Sequence, residues 1–246
     1  MKETVFEITE NTALTRDVFR MKLKGDTTEI TAPGQFVNIR LDGFYLRRPI
    51  SVCDRTDGIL TLIYKVVGQG TVAMAKMLPG GMLDILTGLG NGYDTAKSGD
   101  RPLLIGGGVG VPPLYLLAKE LTATGKAVTV ILGFRTADDA FYRGEFEALG
   151  AKVLLTTEDG SLGTKGFVTD AFALAGDYTY TYTCGPEPML RAVYNHTKTS
   201  GQYSFEERMG CGFGACMGCS CKTLYGNKRI CRDGPVLEKE EIRWEA

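Results

Sequence analysis

Histidine and tryptophan are nearly absent from this chain, with one of each in 246 residues. A metal centre built on several imidazoles is therefore excluded, and His196 has no second histidine to work with. An excess of charge of either sign is also missing. The 28 Lys and Arg are balanced by 29 Asp and Glu, with no basic block, so nothing electrostatic recruits nucleic acid or an anionic membrane. Long apolar runs are lacking too: the longest, "LLIGGGVGVPPLYLLA", is broken by Gly and Pro and falls short of the ~20 residues a spanning helix needs. The opening "MKETVFEITE" has no apolar signal core, so a soluble cytoplasmic protein is expected.

Cysteine and glycine, by contrast, are concentrated. Of seven cysteines, four fall in "ERMGCGFGACMGCSCKT" and another follows at Cys231; an odd number gathered in one loop suits metal or redox chemistry better than a disulfide framework. Cys211, Cys216, Cys219 and Cys231 read C-x4-C-x2-C with a distant fourth, the plant-type spacing for a [2Fe-2S] cluster held by four thiolates. Glycines 210, 212, 214 and 218 let the backbone wrap a compact anion and aim N–H groups at sulfur. The alternative is a structural zinc knuckle, which ordinarily shows two short C-x-x-C pairs where this loop has one. Cys221 is an extra thiol that the spacing does not need.

The chain has two rhythms. Up to residue 98, short alternating segments lie between turns at "APGQ", "DRTDG", "LPGG" and "LGNG"; Phe19, Met21 and Leu23 alternate with Arg20, Lys22 and Lys24, and Leu60, Leu62 and Tyr64 with Thr61 and Lys65. This is antiparallel β structure, expected as about six strands closed into a small barrel. From 99 to 201, apolar strands ("PLLIGG", "AVTVILGF", "KVLLTT", "YTYTYTCG") alternate with helical stretches, as in a parallel α/β domain. Its first helix opens on proline, carries an apolar stripe of Leu114, Leu117, Ala118 and Leu121, and stops at Gly125. Residues 202–246 have neither rhythm and are expected to be organised by whatever the cysteines bind.

Two glycine turns offer nucleotide sites. Gly106, Gly107, Gly108 and Gly110 join a strand to a helix, where a pyrophosphate can approach the backbone; such a turn is otherwise simply a tight connection. Cys184, Gly185 and Pro186 mark the carboxyl end of a later strand, the edge at which open α/β sheets bind ligands, although Cys184 is otherwise a core residue. In the first half, "RRPIS" provides Arg48 for a bidentate phosphate contact and Ser51 for a heterocycle edge, unless the arginines are a solvated face. "IYKVVGQGT" adds the Tyr64 ring for stacking, if it is not ordinary core, and the Gly70 and Thr71 backbone for phosphate.

Taken in order, R-P-I-S, then G-G-G-V-G-V-P-P, then C-G-P resembles the ferredoxin-NADP reductase superfamily. The tail "ERMGCGFGACMGCSCKT…RICRDGPV" is similar to electron-transfer subunits of class 1B dihydroorotate dehydrogenase, over essentially the whole chain. The resemblance implies FAD contacts at Arg48, Pro49, Ile50, Ser51, Ile63, Tyr64, Lys65, Gly70 and Thr71. It implies a cluster on Cys211, Cys216, Cys219 and Cys231, with NAD(H) as substrate at Gly107, Gly108, Gly110, Cys184, Gly185 and Pro186. It further implies a relay from NADH through FAD and the cluster to FMN in a separate catalytic subunit, two copies of each chain, serving pyrimidine synthesis. A reductase subunit of another complex, of hydrogenase or glutamate synthase type, carries the same cofactors. A non-enzymatic zinc or redox-sensing module is the third reading, and it predicts a colourless protein.

Overall fold

Alternation closes the first half into a barrel, as the sequence predicts. In the computed structural model, which describes residues 1–244, six antiparallel strands are β1 (Lys2–Ala13), β2 (Val18–Lys24), β3 (Phe36–Ile39), β4 (Arg48–Thr56), β5 (Ile59–Lys65) and β6 (Met82–Leu89). They form a closed barrel in the order β1-β2-β5-β4-β3-β6. One residue in two points inward, and Phe6, Met21, Leu23, Val37, Ile39, Leu62 and Ile85 fill a common core. Closure pairs every strand on both sides, so no edge is exposed. A short helix, α1 (Gln69–Ala75), joins β5 to β6.

The second half is a parallel sheet flanked by helices. In chain order its elements are β7 (Pro102–Gly107), α2 (Pro113–Ala123), β8 (Thr129–Phe134), α3 (Arg143–Ala148), β9 (Lys152–Thr157), β10 (Thr164–Lys165), α4 (Phe172–Ala175), β11 (Tyr180–Cys184) and α5 (Glu187–His196). Helix α2 carries its predicted stripe, Leu114, Leu117, Ala118 and Leu121, fully buried, and the chain turns at Gly125 with φ +78°. On its other side α2 lies against β4, where Lys119 Nζ donates to Asp54 Oδ1 at 2.9 Å and to Thr56 Oγ1 at 2.7 Å. Leu116 of the same helix belongs to the barrel core.

The tail differs from the sequence reading. It contains β12 (Gly201–Ser204), the hairpin β13 (Ser220–Thr223) and β14 (Gly226–Arg229), α6 (Ile230–Asp233) and β15 (Val236–Glu238). The sheet runs β10-β9-β8-β7-β11-β12-β15, so its last two strands come from beyond residue 200, with β15 antiparallel to β12. Ordinary backbone pairing therefore anchors both ends of the cysteine segment. These strands are three and four residues long, too short for alternation to register.

Candidate functional site

The first candidate region is a cavity of about 370 Å³ between Phe44, Arg48 and the loop 67–71. The Arg48 guanidinium lies over the Phe44 ring, 4.9 Å from its centroid, and donates to the Leu46 carbonyl. Gly70 leaves room for this approach: a Cβ there would stand 2.2 Å from Arg48 Nε. The Thr71 hydroxyl accepts from the N–H groups of Val67 (2.9 Å) and Gly68 (3.2 Å) and donates to the Gly68 carbonyl, holding the loop closed. The N–H groups of Gln69, Gly70 and Thr71, at the start of α1, have no intrahelical carbonyl to bond. A guanidinium beside such N–H groups is a donor set suited to a pyrophosphate.

Tyr64 is corrected. Its ring is 2% exposed inside the barrel, stacked on Phe19 at 6.0 Å, and its hydroxyl donates to Asn11 Oδ1 at 2.9 Å. Burial pushes the phenol up to about 12. Alternation along β5 turns Tyr64 inward, on the face it shares with Phe19. Ile63, on the opposite face, is buried against the α/β half, and Lys65 pairs with Asp17 at 3.1 Å. Pro49, Ile50 and Ser51 are half-buried on β4, beside β3.

The two glycine motifs of the α/β half, separated by some seventy residues in sequence, abut. A Cβ on Gly110 would meet the Cys184 carbonyl at 2.2 Å and Gly185 Cα at 2.6 Å, and one on Gly107 would meet Met189 Sδ at 2.5 Å. Gly107, Gly108, Gly110, Cys184, Gly185 and Pro186 thus form one patch at the carboxyl ends of adjacent strands β7 and β11. Tyr93 braces it from the barrel side, its hydroxyl donating to the Thr183 carbonyl at 3.0 Å. Desolvation pushes the Cys184 thiol up to about 12, so it is no ready nucleophile.

The four thiols stand as two pairs. Cys219 Sγ and Cys231 Sγ are 3.2 Å apart, both buried. Cys211 and Cys216 exchange contacts: Cys216 N–H lies 3.4 Å from Cys211 Sγ, Cys211 N–H 3.4 Å from Cys216 Sγ, and Ala215 N–H 3.2 Å from Cys211 Sγ. Desolvation alone would raise the Cys211 thiol, but backbone donors at Phe213, Cys216 and Ala215 bring it down to about 6. Cys231 is pushed up to about 12 by burial and by Cys219 beside it. The loop takes positive φ at Gly212 (+78°), Gly214 (+90°) and Met217 (+62°), and Arg229 Nη1 fixes it by donating to the Gly214 carbonyl at 2.6 Å. Among the described residues no three His, Cys, Asp or Glu side chains converge as for a single ion. Two thiol pairs with N–H donors at sulfur fit a two-iron cluster, which takes two thiolates per iron. Cys221 stands apart on β13, opposite Lys228.

One residue that sequence reading missed is Asn38, on β3, whose Nδ2 donates to the Cys211 carbonyl at 3.2 Å. A lone Asn in an apolar strand gives no signal of such a contact.

A barrel with an arginine-lined cavity, set on a parallel sheet with glycine turns, defines a ferredoxin reductase-like protein. The fold matches a ferredoxin NADP+ reductase from Neisseria gonorrhoeae with bound FAD and NADP (TM-score 0.70, 16% identity, 80% of this chain and 90% of that one). A likeness over more of the chain is to the NADH-dependent reduced ferredoxin-NADP oxidoreductase of flavin-based electron bifurcation (TM-score 0.87, 31% identity, 97% of this chain and 90% of that one). Residues 104–195 match the oxidoreductase NAD-binding domain, and residues 206–243 the iron-sulfur cluster binding domain of dihydroorotate dehydrogenase B. The electron transfer subunit of dihydroorotate dehydrogenase B (NAD(+)) from Fusobacterium nucleatum is 43% identical over 97% of each chain; that of Bacillus caldolyticus is 45% identical over 87% of this chain and 88% of its own. The chain belongs to this family of dihydroorotate dehydrogenase B electron transfer subunits.

Proposed function

We propose that this chain carries electrons between NAD(H) and the FMN of a separate dihydroorotate dehydrogenase catalytic subunit, in the cytoplasm, in the pyrimidine pathway, within an assembly of two copies of each chain. When bound, FAD exchanges an electron pair with the nicotinamide and single electrons with a [2Fe-2S] cluster. Arg48 and the 68–71 backbone bind the FAD pyrophosphate, while Pro49, Ile50, Ser51 and the backbone of Ile63, Tyr64 and Lys65 position the rest of the cofactor. Gly107, Gly108 and Gly110 with Cys184, Gly185 and Pro186 take the dinucleotide. Cys211, Cys216, Cys219 and Cys231 hold the cluster. Residues 1–98, 99–201 and 202–246 are the three working parts, the third sharing its sheet with the second.

The observation that carries this reading is the pair of thiol pairs in a segment matched as an iron-sulfur domain. Exposed Phe213, Met217, Leu224 and Tyr225 on the same loops support a partner surface there. The test is reconstitution: the chain, purified with an FMN-containing dihydroorotate dehydrogenase, shows flavin and iron-sulfur absorption and reduces orotate with NADH. Zinc in place of iron and flavin would sink the reading. A ferredoxin- and NADP-linked complex is the second reading, favoured by the likeness over 97% of the chain to the bifurcating oxidoreductase. It predicts NADH-linked turnover with ferredoxin and NADP but none with orotate.

A further inference from the structure

Polar side chains buried in a barrel strand are costly unless their atoms find partners. Asn38 is 1% exposed. Val37 and Ile39, its neighbours on β3, point into the barrel core, so Phe36 and Asn38 face outward, toward the tail. On that face Phe36 packs in the same core as Cys219, Ile230 and Cys231, and Asn38 Nδ2 donates to the Cys211 carbonyl at 3.2 Å. The approach is tight: a Cβ on Gly212 would lie 2.3 Å from Nδ2.

Residues opposite each other in an antiparallel ladder share a face. Pro49 stands opposite Asn38 and Ser51 opposite Phe36, so the R-P-I-S strand contributes to this same surface. Asn38 therefore lies between the strand assigned to the flavin and the first cysteine of the cluster loop. Its other amide atom, Oδ1, is buried and has no hydrogen-bond partner among the described residues. Turning the amide over would set two acceptors, Oδ1 and the Cys211 carbonyl, against each other, so the orientation is fixed by the contact.

We infer that Asn38 is a positioning residue joining the flavin site to the cluster: its amide N–H sets the Cys211 loop on β3, and its unpaired Oδ1 receives a donor group of the bound flavin. The inference rests on the two-cofactor reading above. The loop it anchors is the one whose Ala215 and Cys216 N–H groups lie 3.2 and 3.4 Å from Cys211 Sγ. Hydrogen bonds to ligand sulfur favour the more negative, reduced cluster, so loosening the anchor lowers the cluster potential.

The test uses the purified holoprotein with Asn38→Leu, which removes donor and acceptor, and Asn38→Ser, which is too short to reach the Cys211 carbonyl. Iron, sulfide and flavin contents are measured first. In loaded variants the EPR signal of the reduced cluster shifts, and its one-electron equilibrium moves about tenfold toward the oxidised form, about 59 mV by redox titration. In stopped flow, cluster reduction slows relative to flavin bleaching by NADH. Should Asn38→Leu fail to load, Asn38→Ser is read by the same criteria. Loaded variants whose EPR signal, potential and ratio of steps all match the unmutated protein overturn the inference. Absence of flavin or cluster from the unmutated protein is a different failure, that of the proposed function itself.

Discussion

At the scale of single residues, Arg48 lies close against Gly70, where a Cβ would stand 2.2 Å from Nε and displace the guanidinium. If Arg48 holds the FAD phosphate as proposed, Arg48→Ala removes a charge-assisted contact and should weaken FAD by about 1.5–3 kcal/mol, roughly ten- to a hundredfold. Flavin retained after dilution measures this, with iron content as the control that stays constant. Glu10 gives a pH signature in the barrel. Desolvation would raise its carboxyl, but hydrogen bonds from Lys22, Arg20 and Thr12 outweigh that and bring it from 4.5 down to about 2. A depressed carboxylate contributes stability that is complete above its unfolded pKa and is lost as pH falls through the folded one. Thermal stability should therefore drop between about pH 4.5 and 2, and less steeply in Glu10→Gln, as followed by circular dichroism. Tyr64 shows the limit of residue-level reading: composition marks an aromatic ring in a cofactor motif, and only the strand's phase shows that it points into the barrel.

At the scale of elements, the hairpin β13–β14 and helix α6 carry Cys219 and Cys231 to within 3.2 Å across a gap of eleven residues. Cys219→Ser removes one thiolate from the buried pair. The cluster should be lost or weakened, while flavin remains bound and is still bleached by NADH, because Cys219 belongs neither to the barrel core nor to the core beneath α2. Electron passage to the catalytic partner should collapse while an artificial acceptor is still reduced. Cys221→Ser should leave both activities near normal, since Cys221 lies outside both thiol pairs. Iron analysis alongside the two assays separates these outcomes. The C-x4-C-x2-C pattern was legible because it is local in the sequence. The hairpin was not, because its strands are four residues long and half exposed.

At the scale of the molecule, the two halves are joined through α2. Lys119 bridges to Asp54 and Thr56, and Arg55 approaches Glu120 at 3.7 Å. Lys119→Ala should cost on the order of 1 kcal/mol, a fall in Tm of about 2–4 °C, read by calorimetry. On the outside, Phe213 and Tyr225 are 44% and 79% exposed beside the cysteines. Replacing both with Asp should weaken co-purification with a catalytic subunit while leaving the chain's own cofactor content intact.

The sequence by itself determined what depends on near neighbours. Period-two alternation and turn residues specified the barrel strands, apolar strands alternating with helices specified the parallel sheet, and cysteine spacing with interleaved glycine specified the cluster loop. Tertiary structure decided which separate segments meet. Closure in the order β1-β2-β5-β4-β3-β6 sets β3 beside β4, so that Asn38 adjoins the R-P-I-S strand and reaches Cys211, 173 positions away. The adjacency of β7 and β11 presses Gly110 onto Cys184, and pairing with β12 draws β15 from the tail into the sheet. The physical reason is that side-chain periodicity states which residues share a face, whereas the partner of that face is chosen by burial and hydrogen-bond pairing summed over the whole chain.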